Sequence, residues 1–509
     1  MTPAGGEDRL VPSGRRMFWR ALAAALAIFA LTTTATATAA LLFIDDIIPK
    51  LELQKQPKIR TREITRAEAG KPQTLLLLGS DRRYADLKKN NPLLKKNMPA
   101  RSDTMMLVRI DPDKHATAIL SIPRDLHVMI PGIGIDKINR AYQEGGEDLT
   151  LRTVKNLLGI KINHAINVNF SGFREVVNAI GCVYADIDRR YYHSNAGLPA
   201  AQQYAEIDVP AGYQRLCGQR ALEYVRFRHG DNDFVRAARQ KDFLRAAKDQ
   251  VSTSSLFKQR RKLVKIFVDS TDTDADLTTS SGIRKLLFLG LFSAGNPVQK
   301  IPLPAQEAGD ETNAYVVATD AALRRAARLF VDAGGPPKGT GARKKGSARR
   351  AAAVPAANLA NVRRAGARQA AAIVARRRLP FPVYFPAKAT QQARPAVEDA
   401  RPKPYTLRDR ADRRHRAYRL VMVESSVDGQ YYGVQGTDWR TPPLLAHPTS
   451  TRVVSGRKLE LFRDGNRLRF VAWRTPRAAY WVSNSLSLAL SNPEMIGIAR
   501  SLTRLRRDR

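Results

Sequence analysis

The chain has 509 residues, too many for one hydrophobic core, so two or three folded units joined by linkers are expected. Hydrophobic residues at 43% and charged residues at 26% exclude wholesale disorder. The formal charge of +38, from 85 Lys and Arg against 47 Asp and Glu, calls for an anionic partner: nucleic acid, anionic lipid or an acidic polymer.

Residues 1–20 carry Arg9, Arg15, Arg16 and Arg20 and read as a cytosolic tail. Residues 21–44 hold no charge, long enough for a helix across a hydrocarbon core of about 30 Å. Asp45 and Asp46 follow, so the positive-inside rule places everything after them outside the membrane. A cleaved signal peptide is the alternative. Ala35, Ala37 and Ala39 would allow cleavage, but Leu41-Leu42-Phe43-Ile44 continues the apolar run past them. This topology argues against nucleic acid as the partner. It also puts Cys182 and Cys217 in an oxidising space, where one bridge between them is the simple expectation and two buried free thiols the alternative.

Residues 45–72 are a polar connector. Beyond it, Thr74–Gly79, Met105–Ile110 and Thr117–Ile122 are short apolar runs of the kind buried strands show. The last two are separated by the turn-like Asp111-Pro112-Asp113-Lys114. Leu149–Leu158 reads as a helix, Ala165–Phe170 as a strand, Gly172–Ile180 as a helix and Val183–Ile187 as a strand. Helical patterns follow at Arg220–Phe227, Val235–Ser252, Phe257–Asp269 and Ser280–Phe292; Tyr315–Val317 reads as a strand and Asp320–Asp332 as a closing helix. Residues 73–334 thus form one α/β domain with a covered sheet.

Residues 335–378 read as a basic Ala/Arg-rich linker, partly helical in its second half. From Gly335 to Leu420 there are 22 Lys and Arg against 4 Asp and Glu, a run that is either a solvated tether or one that also holds an anionic surface. Residues 379–509 read as a small α+β domain. Its strands are expected at Tyr418–Val423, Gln430–Gln435, Lys458–Phe462, Arg467–Trp473 and Ala479–Val482, with Asp464-Gly465 as a hairpin turn and a helix opened by Pro493. The aromatic residues of Gln430–Gly436 and Tyr480–Asn484 either stack on sugars or fill a core.

No Walker loop, HExxH, CxxC or GxSxG is present, and Gly132-Ile133-Gly134 lacks the third glycine of a dinucleotide site. What remains is Arg and Asp at predicted strand ends: Ser80-Asp81-Arg82, Arg101-Ser102-Asp103, Pro123-Arg124-Asp125 and Asp136-Lys137, with Arg226, Arg228, Arg239 and Gln240 around an acidic loop. Ligands of α/β sheets bind outside strand ends. Arg presents a planar fork suited to phosphate oxygens, and Mg²⁺ takes one or two carboxylates plus substrate phosphates. The set reads as a pyrophosphate and Mg²⁺ site.

Five of these stretches, in this order behind one anchor, resemble motifs of the LytR-CpsA-Psr family of cell-wall proteins: Leu77–Arg82, Arg101–Met106, Ser121–Asp125, Asp136–Tyr142 and Ala221–Arg228. The resemblance implies a three-layer α/β/α domain around a central mixed sheet, with an apolar pocket for a polyprenyl chain. It implies an enzyme that transfers a phosphate-linked glycopolymer from a polyprenyl-pyrophosphate carrier to peptidoglycan, assisted by Mg²⁺. Carried over by motif, Asp81 and Asp103 face the metal. Arg124, Arg226 and Arg228 clamp the pyrophosphate, with Arg101 and Asp103 among the catalytic set. Arg82, Lys137, Arg239 and Gln240 are substrate contacts. Two other classes stay open: a non-enzymatic membrane-anchored binder of anionic wall polymer, and a transcriptional regulator, which the anchor orientation and the lack of a helix-turn-helix pattern oppose.

Overall fold

The computed structural model describes residues 59–505 except 60, 62, 81–101, 199–204, 228–232, 294–297, 310–314, 335–356, 377–378, 397–402 and 427. The expected anchor and most of the connector lie outside the described residues. Among the described residues no helix is long and apolar enough to cross a membrane.

The apolar run Gln73–Ser80 is buried along most of its length because it lies in the middle of a six-stranded sheet. The strand order is Thr271–Thr273, His164–Asn169, Gln73–Ser80, Ser102–Asp111, Ala116–Ile122 and Val298–Ile301. Gln73–Ser80 runs parallel to His164–Asn169, and Ala116–Ile122 parallel to Val298–Ile301; the other neighbours are antiparallel. The sheet is therefore mixed, as expected. Side chains alternate across it. Leu76, Leu78, Met105, Leu107 and Leu120 pack with the helices Asn139–Leu158 and Asp320–Asp332. Leu75, Leu77, Ile166 and Val168 face Phe267 and Leu286, on the helices Thr253–Ser270 and Ser280–Phe292. Two helical layers thus cover one sheet, which is why its strands read as continuous apolar runs.

Three elements depart from the expected pattern. The helix read from Leu149 begins at Asn139 and kinks at Gly145 and Gly146, whose non-helical backbone interrupts the sequence pattern. Tyr315–Val317 does not join the central sheet; it pairs with Gln306–Ala308, and Val298–Ile301 takes the sheet edge instead. The helix Arg363–Arg376, inside the expected linker, buries Ala370 and Ile373 in the C-terminal core.

Val183–Ile187 pairs with Gly212–Leu216 in a separate two-stranded sheet. At its end Cys182 and Cys217 form a disulfide, with Cα atoms 4.5 Å apart. Cys217 is also the residue that opens the helix Gly218–Arg226.

The C-terminal unit is an eight-stranded antiparallel sheet. Its alternating residues serve two cores. Val471, Trp473, Tyr480 and Val482 pack with the helices Arg363–Arg376 and Asn492–Ser501. Phe470, Ala472, Ala479 and Trp481 pack with Tyr184 and Tyr213 of the α/β domain. Tyr432, Tyr480 and Trp481 are fully buried, so these aromatics are core and not a sugar platform. Far from hanging on a tether, the C-terminal unit is docked. Arg419 donates to both carboxylate oxygens of Asp186, at 2.8 and 2.9 Å, and to Ser483 Oγ at 2.9 Å. The Tyr405 hydroxyl accepts from the Tyr213 N–H at 2.9 Å and from Gln435 Nε2 at 2.7 Å.

Candidate functional site

The strand ends that carry the Arg and Asp motifs converge at one end of the central sheet. Gln73–Ser80 and Ala116–Ile122 finish there and Ser102–Asp111 starts there, with Ser80 opposite Ser102 and Met105 opposite Ile122. Between Gly79–Thr104 and Ser80–Ser102 the register skips one residue, Asp103. Such a bulge re-aims the backbone where it occurs and is common beside active sites. Asp81 follows Ser80 directly but lies outside the described residues, as do Arg82, Arg101 and Arg228. The Ser80 hydroxyl is buried with no hydrogen-bond partner among the described residues. A buried polar atom left so calls for a water, an ion or a catalytic role to account for it.

Arg124 follows the end of Ala116–Ile122 in a pinned turn. Its carbonyl accepts from Asn139 N at 3.0 Å, the Leu126 N–H reaches Pro123 O at 3.1 Å, and the Val316 N–H reaches Asp125 O at 2.9 Å. Arg124 Nε donates to Asp125 at 3.2 Å, and both side chains are about one-fifth exposed. Nearby, Lys137 ends the hairpin that pairs it with His127. Asp136 is bound by Arg140 at 2.5 Å, and that bond holds its carboxyl below the usual range despite the opposing effect of burial. This leaves Lys137 with no ion pair among the described residues.

Arg226 is the last residue of the helix Gly218–Arg226, which stops because Phe227 leaves the helical region at φ −52° and ψ 136°. Its guanidinium lies 3.9 Å from the centroid of the Phe170 ring. Phe170 directly follows the strand His164–Asn169, so this contact seats the arginine at the same sheet end. Gln240 closes the arrangement. Its Nε2 donates to Thr104 Oγ1 and to Val225 O, both at 3.1 Å, tying the strand that bears Asp103 to the helix that bears Arg226.

Arg239 has a different setting from the substrate contact expected of it. It is fully buried, its guanidinium lies 4.6 Å from the Tyr191 ring centroid, and it donates to Phe227 O. It shapes the turn after Arg226 from behind. The sequence reading named Ser80 and Thr104 only as members of charged motifs and gave them no role, and it gave none to Phe170; small or apolar residues beside a motif do not announce contacts. No cluster of three or more His, Cys, Asp or Glu suited to a metal occurs among the described residues.

The geometry brings Arg124 and Arg226, from two different elements, to the same sheet end, where the strand pairing skips Asp103. A model described as the LytR_cpsA_psr family matches residues 47–328. The chain is 33% identical over 211 residues to TagU of Oceanobacillus iheyensis, named a polyisoprenyl-teichoic acid–peptidoglycan teichoic acid transferase; the match covers 40% of this chain and 59% of TagU. It is 32% identical over 196 residues to TagV of Bacillus subtilis, of the same description, covering 38% and 49%. The chain thus spans only about half to three-fifths of the length of these relatives. The crystal structure of B. subtilis TagV matches at 27% identity and a TM-score of 0.40, covering 52% of this chain and 97% of that one. With the family model matching more than half of its residues, the chain belongs to the LytR_cpsA_psr family.

Proposed function

We propose that this protein is a membrane-anchored transferase that moves a phosphate-linked glycopolymer from a polyprenyl-pyrophosphate carrier to peptidoglycan, outside the cytoplasmic membrane. The observation that supports this reading is the seating of Arg226 over Phe170 at the sheet end where Arg124 also follows its strand and where the pairing of Gln73–Ser80 with Ser102–Asp111 skips Asp103. The names of the relatives TagU and TagV describe the same class of reaction.

In the proposed reaction an acceptor hydroxyl oxygen bonds to the glycopolymer-side phosphorus. The phosphorus–oxygen bond to the carrier breaks, polyprenyl phosphate leaves, and the hydroxyl proton passes to a base. Phosphoryl transfer of this kind asks for positioning and charge neutralisation more than for covalent catalysis. Arg124 and Arg226, with Arg228, would hold the pyrophosphate oxygens bidentately and balance charge growing on the leaving group. Gln240 would act as a positioning residue, fixing the helix end relative to the strand. Asp81 and Asp103, next to Ser80 and Ser102 in the sequence, would supply hard oxygen donors, and the Ser80 hydroxyl is buried with no hydrogen-bond partner among the described residues. That donor set fits Mg²⁺, which would neutralise phosphate charge at these two carboxylates.

The test is turnover by the full chain in lipid nanodiscs, with a polyprenyl-pyrophosphate-linked glycan as donor and peptidoglycan fragments as acceptor. Release of polyprenyl phosphate with joined product is the expected result. Donor binding without product would refute the transferase reading and leave a binding protein.

A further inference from the structure

Where the C-terminal unit meets the α/β domain, a groove enclosing about 480 Å³ is lined by Arg215, Arg220, Arg408, Arg414 and Arg416, together with Gln214, Thr406 and Leu407. Its lining contains no carboxylate. Arg408 pairs with Asp412 at 2.5 Å, and Arg416 Nη1 donates to Thr406 Oγ1 at 2.8 Å. Arg215, Arg220, Arg414 and Arg416 are in no ion pair among the described residues, and Arg215 Nε is buried without a hydrogen-bond partner. Like charges gathered in this way repel one another unless an anion sits between them. Arg220 also stands in the first turn of the helix Gly218–Arg226, where the helix dipole disfavours a cation and favours an anion.

Both walls are held in place. Tyr184, beside Arg215, donates from its hydroxyl to Arg408 O at 2.8 Å, and the Tyr405 hydroxyl accepts from the Tyr213 N–H. The groove therefore exists only because the two units are docked. One helix connects it to the candidate site: Arg220 lies near its start and Arg226 at its end, six residues or about 9 Å apart along the axis at ~1.5 Å per residue.

We propose that this groove is a second binding site, for a polyanionic chain bearing phosphodiester charges at intervals, and that it holds the body of the transferred polymer while its pyrophosphate end sits at Arg226. The assignment rests on the transferase reading above and names the substrate class: an anionic polymer, longer than the linkage unit. Several guanidiniums spread over one groove suit repeated phosphates better than a single one, since each takes a separate bidentate contact.

The test uses the full chain in nanodiscs of neutral lipid, with fluorescein-labelled inorganic polyphosphate as the probe and anisotropy as the readout. The variant Arg220→Gln/Arg408→Gln/Arg414→Gln removes three exposed charges of the groove. The control Arg324→Gln/Arg325→Gln/Arg328→Gln removes three exposed charges from the helix Asp320–Asp332, which packs on the far domain's central sheet. The groove variant is expected to raise the Kd at least roughly tenfold, with a flatter salt dependence, while the control shifts it by less than about twofold. Equal weakening by both triples, or none by either, overturns the proposal. So does a groove variant that keeps polyphosphate binding and loses only flotation with phosphatidylglycerol vesicles, which would make the groove a lipid site. Polyphosphate binding needs no turnover. A parent that binds through the groove but transfers nothing would therefore sink the transferase reading alone. A parent that transfers but shows no groove dependence would sink this one alone.

Discussion

Arg226 shows how much a single side chain depends on its surroundings. Its Phe170 partner holds the guanidinium at the sheet end, so truncation removes a pre-placed charge and not a mobile one. Arg226→Ala and Arg124→Ala should each lower transfer about ten- to a hundredfold, the value of one charge-assisted phosphate contact at about 1.5–3 kcal/mol. Circular dichroism should show both variants folded, and Arg343→Ala in the basic linker should change little. Gln240→Leu should behave differently. It keeps every charge but unties Thr104 from Val225, so kcat should fall with KM nearly unchanged, and a drop in KM-side binding alone would refute the positioning role. Arg124 and Arg226, which the fold brings to one sheet end, were legible in the sequence because arginines at predicted element ends are chemically conspicuous. Phe170 and Thr104 were not, since their roles arise from which charged residue happens to lie against them.

Among the elements, the helix Gly218–Arg226 links every functional region found. It starts at the bridged Cys217, carries Arg220 toward the basic groove and ends at Arg226. Opening the bridge frees a loop with a sequence separation of 35 in the unfolded chain. Cys182→Ser/Cys217→Ser should cost roughly 3–4 kcal/mol in the chain-entropy model, read as a lower urea midpoint with a slope that is steeper if anything, since the freed unfolded chain exposes more surface. Strand legibility at this scale follows burial. Gln73–Ser80 is buried on both faces and reads as a continuous apolar run. Thr271–Thr273 and Val298–Ile301 are short, largely polar edge strands, defined by the backbone they pair with, so nothing in their own composition marks them.

Across the whole molecule, docking of the two units rests on charges taken out of water. Asp186 and Arg419 have side chains only 3% and 2% exposed. Asp186→Ala would strand the guanidinium, at a cost of about 3–5 kcal/mol, whereas replacing both partners with apolar residues should be far milder. A thermal melt of the two variants side by side checks this. Arg245 and Lys300 bracket Asp464 at 2.5 and 3.3 Å. Burial works against the Asp464 carboxylate, but these cations outweigh it and bring its pKa to about 2. Its stabilisation is therefore present above the unfolded value of 3.8 and lost as pH falls toward 2, so acid should loosen the docked units. Lys241 has the opposite sign. Burial, with Lys300 nearby, lowers its pKa from 10.5 to about 8. Between those values the unfolded chain binds the extra proton, so stability should rise as pH climbs from about 8 to 10.5. Lys241→Met should stabilise the protein by about 1–3 kcal/mol at pH 7 and abolish that rise.

The sequence by itself determined the layered α/β architecture, the C-terminal β-rich unit and the family. Those follow from local patterning and from charged motifs whose order along the chain needs no tertiary knowledge. Only the tertiary structure decided that the two units share a core. Asp186 and Arg419 are separated by 233 positions, and Tyr213 meets Tyr405 across 192. No periodicity encodes such pairs, because each residue looks like an ordinary strand position until its partner is beside it. The basic groove is of the same kind. Read along the chain, its arginines belong to a general positive excess; brought together by the docking of two sheets, they become a site.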